Sequence, residues 1–160
     1  KAIQYLKKQQ VSSAKVTLKV TGNKTMIKAE VRINRTLPPE LINLMNKCGE
    51  RKRNPKTIIK ALRDGLFMVG LYINDELIAF GRVSGDGAMY FLITDVMVDP
   101  AYEGSGADMQ LYKEIDDFLL AVAPNDSRIL VMTNKKYESI FRTFGYEYMD
   151  PDYRKVMIRE

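Results

Sequence analysis

Between Met89 and Thr133 the chain passes from one apolar run to another through a glycine turn and an amphipathic helix, and this order constrains the fold most. Met89–Val98 is broken only by Thr94 and Asp95, which is the pattern of a central strand covered on both faces. Pro100 ends it, and Glu103-Gly104-Ser105-Gly106 turns the chain. Leu111, Ile115, Phe118, Leu119 and Val122 then share one helical face until Pro124. Arg128–Thr133 is a second buried strand. Strand, helix and strand in this order form a crossover, so these two strands are predicted to be parallel.

The rest of the chain arranges itself around that unit. Residues 2–9 read as a short helix, with Ile3 and Leu6 on one side. Val16, Leu18 and Val20 alternate with polar residues, Gly22-Asn23 punctuates, and Ala29, Val31 and Ile33 alternate again. That pattern predicts a β-hairpin with one buried face. Thr36 reads as the cap of a helix over 38–48 that opens with Pro38 and Pro39. A second helix over 55–64 begins at Asn54-Pro55 and stops at Gly65. Strands over 66–73 and 76–84 flank Asn74-Asp75, a two-residue hairpin turn. Asn134 reads as the cap of a helix carrying Tyr137, Ile140, Phe141 and Phe144, with Gly145 at its end. Two last strands are expected over 146–149 and 154–159.

Composition removes whole classes of chemistry. The chain of 160 residues contains no His and one Cys. No Ser-His-Asp or Cys-His catalysis, imidazole metal site, disulfide framework or thiolate zinc cluster can be built. Cys48, closing an apolar helix face, reads as a packing residue. A lone Cys fits a cytoplasmic protein. No apolar run reaches membrane-spanning length, and KAIQYLKKQQ lacks the apolar stretch of a secretory signal.

The net charge of +5 is unevenly spread. Residues 1–60 hold 15 Lys and Arg against 3 acids, and residues 61–160 hold 10 against 17. Arg51, Lys52 and Arg53, with Lys47 and Lys56 nearby, form either a solvated turn or a basic rim for the phosphates of a nucleotide-like cofactor. A nucleic-acid-binding module is a third alternative. Tyr5 is the only aromatic residue among these basic ones, which argues against readout by stacking.

A strand ending at a glycine turn that opens a helix leaves bare backbone N–H groups at the helix start, where phosphates bind. Here the chain resembles the GNAT superfamily of N-acetyltransferases. Asp95-Val96-Met97-Val98-Asp99-Pro100-Ala101-Tyr102 looks like the family's central strand and its V-x-P-x-Y ending. Glu103-Gly104-Ser105-Gly106-Ala107-Asp108 occupies the pyrophosphate loop. Asn134, Phe141, Gly145 and Tyr146 match the N-x6-Y-x3-G-F block. The resemblance covers residues 65–146 well and 26–64 loosely.

The resemblance implies an α/β fold, a central mixed sheet flanked by helices, with residues 1–25 as an N-terminal extension and 26–160 as one domain. It implies acetyl-CoA as co-substrate, held between the two parallel strands where they splay apart near Val98. Val96, Met97 and Val98 would pair with its pantetheine. Glu103, Gly104, Ser105, Gly106, Ala107 and Asp108 would face its pyrophosphate, with Asn134 and Phe141 beside it. A small-molecule or protein amine would attack the thioester. The acid-rich C-terminal half suits a cationic acceptor, and a homodimer is left open.

Three positions depart from the family pattern. Glu103 stands where Gln or Arg is usual, Asp108 where Gly or Ala is usual, and Phe141 where the Tyr taken as general acid is usual. The two carboxylates oppose a pyrophosphate, and Ser105-x-x-Asp108 also reads as a capping box. A degenerate member with weak or no acetyl transfer is therefore the alternative function. Tyr137 lies one helical turn before Phe141 and could serve as the acid, or simply pack. Asp95 interrupts an apolar strand and is the candidate base, or else a solvent-facing or turn-bonded carboxylate.

Overall fold

The computed structural model describes residues 14–20, 25–150 and 152–159. Six strands form one sheet in chain order, β1 (Ala14–Val20), β2 (Thr25–Ile33), β3 (Phe67–Ile73), β4 (Glu76–Gly85), β5 (Tyr90–Val98) and β6 (Arg128–Val131). Neighbours are antiparallel except β5 and β6, which run parallel as the crossover requires. The Asn74-Asp75 turn has φ of 50° and 61° at its two residues, the conformation that a tight right-twisted hairpin demands.

Helices cover both faces. α1 (Pro38–Lys47) and α2 (Pro55–Asp64) bury Leu41, Leu44, Met45, Ile58 and Leu62 against Tyr72, Leu77, Phe80 and Met97. α3 (Ala107–Val122) lays Leu111, Ile115, Phe118 and Leu119 on the opposite face, where Phe118 stacks on Phe67 at 4.4 Å. Each such side chain, when fully buried, contributes about 1.5–3 kcal/mol. The short α4 (Glu138–Thr143) follows a 3-10 turn at Lys135–Tyr137 and packs Phe141 on Tyr112 of α3. Among the described residues no helix is long and apolar enough to cross a membrane.

Three expectations are corrected. Thr36 does not cap α1. Leu37 is the cap residue, its N–H bonded to Glu40, while Thr36 is buried and accepts from the Tyr72 hydroxyl at 3.1 Å. Ser105 and Asp108 do not form a capping box. Ser105 Oγ accepts from Ala107 N–H at 3.3 Å, Asp108 turns onto Met109 N–H at 2.8 Å, and Gly106 is the cap. Residues 146–149 and 154–159 form no strands. Apolar residues alone supply no ladder, and Val156, Met157 and Ile158 stay exposed. The expected helix over 2–9 and the Gly22-Asn23 turn lie outside the described residues.

Candidate active site

The site begins with a defect in β5. Met97 pairs with Phe80 and Thr94 with Arg82, so Asp95 and Val96 together oppose Gly81 alone. This two-against-one arrangement is a β-bulge, which bends its strand. Asp95 takes the left-handed conformation, φ 53°, which Asp tolerates better than most side chains. Gly81 lies opposite it, where a Cβ would stand 3.0 Å from Ile115 Cδ1 and press on that side chain.

The bulge falls where β5 leaves β6. Their pairing runs from Tyr90 with Arg128 to Ile93 with Val131, and Met132 N–H adds a bond to Ile93 C=O at 3.0 Å. Thr94–Val98 then continue without a β6 partner. The two strands part as the resemblance implies, but after Ile93 rather than near Val98, and the opening leads toward the start of α3.

A cleft of about 180 Å³ lies at the end of the opening, lined by Val98, Glu103, Gly104, Asp108, Lys136 and Tyr137. Asp99, buried at the end of β5, accepts from Ala101 N–H at 2.9 Å and from Lys47 Nζ at 2.8 Å. Lys47 also pairs with Glu76, and both carboxylates hold its ammonium protonated well above the usual lysine range. That clamp sets the next residue, Cys48, where its Sγ donates to Val98 C=O at 3.3 Å. Burial pushes the Cys48 thiol up to about 11, which keeps it an unreactive donor.

Gly104 and Gly106 hold φ of 73° and 85°, which only glycine adopts without strain. Their N–H groups make no hydrogen bond among the described residues, so the start of α3 presents open donors. Glu103 accepts a hydrogen bond from Lys136 Nζ across the cleft, and Lys136 lies 5.0 Å over the Tyr137 ring.

Among the described residues, three buried hydroxyls near the opening have no partner in full hydrogen-bond geometry: those of Tyr112 and Thr133, which face each other, and that of Tyr137, beside Lys136 and the Val98 backbone. Leaving a buried polar group unpaired costs about 1–3 kcal/mol. The Tyr112 and Tyr137 rings lie 6.5 Å apart, edge to face. Burial raises the Tyr137 phenol above its ordinary value, with the Lys136 charge working against it. Burial likewise raises Tyr112.

The two residues singled out for catalysis are not brought together. The Asp95 carboxylate is held by Arg82, with Oδ2 2.8 Å from Nε and 2.7 Å from the terminal nitrogen. Arg82 follows Gly81, whose open side faces Ile115 of α3, so Arg82 and Asp95 belong to the face of α1 and α2. Tyr137 is part of the cluster on the α3 face. Asn134 caps the 3-10 turn through Lys136 N–H at 3.2 Å, and Phe141 packs on Tyr112 and Tyr146. Tyr112, Thr133, Lys136 and Arg82 were not singled out from sequence. The one available signal was a hydroxyl, Tyr112, inside the apolar stripe of α3.

The residues fit a nucleotide-bearing thioester such as acetyl-CoA. Buried hydroxyls without a partner in full hydrogen-bond geometry sit by the strand opening, and open amide donors with a lysine sit at its end.

No protein-family model matches the chain. It is 34% identical over 113 residues to an uncharacterized ycf52-like N-acetyltransferase of Prochlorococcus marinus, a match over 67% of this chain. The chain spans 61% of that relative's length. A Staphylococcus aureus protein of unknown function, described as a probable acetyltransferase, superposes with a TM-score of 0.75 at 24% identity over 82% of this chain and 99% of its own. The aminoglycoside acetyltransferase AAC(6')-Iy, solved with a CoA-containing bisubstrate analogue, superposes with a TM-score of 0.59 at 13% identity over 82% and 97%. The strand opening, the glycine turn at α3 and these likenesses agree: the chain has the fold of the GNAT acetyltransferases.

Proposed function

We propose that this protein is an acetyl-CoA-dependent N-acetyltransferase acting on a small-molecule or protein amine. The observation that carries the reading is the opening between β5 and β6, with the buried hydroxyls of Tyr112, Thr133 and Tyr137 beside it and the bare start of α3 at its end. Bound acetyl-CoA supplies an activated acetyl thioester.

The chain's own groups divide the remaining work. Val96, Met97 and Val98 offer the backbone edge that β6 leaves unpaired, apart from the Val98 C=O, which Cys48 Sγ occupies. Gly104, Ser105, Gly106 and Ala107 form the phosphate cradle, with Asn134 and Phe141 shaping its far wall. Tyr137 is a phenol and so protonated at neutral pH, burial raises it further, and it donates its proton to the departing thiolate. Asp95, on the opposite face, is the carboxylate for the amine, held in orientation by Arg82. The acid-rich C-terminal half favours a cationic acceptor.

Glu103 and Asp108 in the cleft wall favour the second reading, a GNAT-fold binding protein with weak or no transfer. A thiol-release assay with acetyl-CoA and a panel of polyamines, aminoglycosides and lysine peptides separates the two. Transfer that falls about 10²-fold in Tyr137→Phe supports the enzyme. Acetyl-CoA binding without thiol release from any acceptor supports the binding protein.

A further inference from the structure

Lys136 and Glu103 face each other across the cleft mouth, from the 3-10 turn before α4 and the loop before α3. Of the six residues lining the cleft, two are acids and Lys136 is the cation. Lys47, whose neighbour Cys48 reaches Val98, is clamped between Asp99 and Glu76. The Lys136–Glu103 pair is about half exposed, 47% and 49%, and pairs of that kind are weak. The Tyr137 ring, 5.0 Å beneath the ammonium, keeps it over the cleft whichever anion it meets. The Tyr137 hydroxyl is itself buried in the same cleft, beside Lys136 and the Val98 backbone and without a partner in full hydrogen-bond geometry among the described residues. The open N–H groups of Gly104 and Gly106 lie beside Glu103.

Building on the acetyl-CoA reading, we propose that Lys136 is a phosphate-recognition residue that exchanges Glu103 for the ligand's pyrophosphate, and that Glu103 holds it in waiting. A pyrophosphate carries more charge than one carboxylate and can bond the glycine amides together with Lys136. Glu103, half exposed, then turns to solvent. The exchange makes an acid in the loop compatible with an anionic ligand. It also gives the cleft a preference for phosphorylated over unphosphorylated pantetheine carriers.

The test is a calorimetric and NMR titration of wild type, Lys136→Met, Lys136→Arg and Glu103→Gln with two probes, acetyl-CoA and pantetheine. Lys136→Met is expected to weaken acetyl-CoA about tenfold and leave pantetheine unchanged, Lys136→Arg to stay within about threefold of wild type, and Glu103→Gln to tighten acetyl-CoA. Equal acetyl-CoA affinity in wild type and Lys136→Met overturns the proposal. So does an equal loss for both probes, which marks a structural role. Absence of acetyl-CoA binding in wild type, Lys136→Arg and Glu103→Gln alike overturns the acetyl-CoA reading itself, and this proposal with it.

Discussion

At Asp95 the backbone and the carboxylate make separate demands. The backbone needs a residue that accepts φ 53°, and the carboxylate pairs with Arg82. Asp95→Asn keeps the first and removes the second. It is expected to lower kcat by about 10²-fold, leave acetyl-CoA affinity unchanged and cost only about 1 kcal/mol of stability. Full turnover across pH 6–9 in this variant, with loss confined to Asp95→Ala, would reduce the residue to its place in the bulge. Cys48 makes a pH prediction. Its thiol is pushed up to about 11, so the protonated form dominates at neutral pH. Iodoacetamide should modify it slowly at pH 8 and progressively faster toward pH 11, and acetyl-CoA should slow the reaction by covering Val98. Rapid modification at pH 8 would contradict the buried donor. From sequence, Asp95 was legible as an interruption but not as a bulge, because the second strand that defines a bulge is distant in the chain. Tyr112 and Thr133 were illegible for the same reason: that they face each other is visible only once the neighbours are in place.

The loop before α3 and the hairpin at the other end of the sheet meet. Lys19 N–H, on the outward edge of β1, donates to Ser105 C=O at 3.0 Å. Lys19→Pro removes that bond without touching the pairing with β2, and proline is tolerated on such an edge. The variant should lose about 1 kcal/mol in thermal unfolding and bind acetyl-CoA several-fold more weakly. Unchanged affinity would show that the hairpin does not brace the loop. Within the loop, Glu103→Gln with Asp108→Gly should tighten CoA at least tenfold while lowering Tm. The first change frees Lys136, and the second removes both a charge and an acid that favours the helix start, worth about 0.3–1 kcal/mol. No gain in CoA affinity would mean that the two carboxylates have no bearing on the ligand. The glycine turn was legible because Gly104 and Gly106 must adopt positive φ. The capping box was misread because Ser105 sits one residue before the true cap, Gly106, and is buried.

Across the whole molecule, the order of apolar runs carried most of the fold. Met89–Val98, the helix stripe from Leu111 to Val122 and Arg128–Val131 had to close a parallel crossover, and they do. The pattern failed at the C-terminal end. The apolar run Val156-Met157-Ile158 suggested a strand over 154–159, yet strand formation depends on a ladder partner, and among the described residues it finds none. Amide exchange should therefore be fast over 154–159 and slow in β4 and β5; protection of the tail comparable to β5 would contradict this arrangement. In the proposed function the parting of β5 from β6 matters most, since it would turn a continuous sheet into the opening for acetyl-CoA. Calorimetric titration with acetyl-CoA and with free CoA tests it directly. The proposed function predicts one site per chain with a dissociation constant in the micromolar range for acetyl-CoA, and absence of binding at millimolar acetyl-CoA would contradict the account.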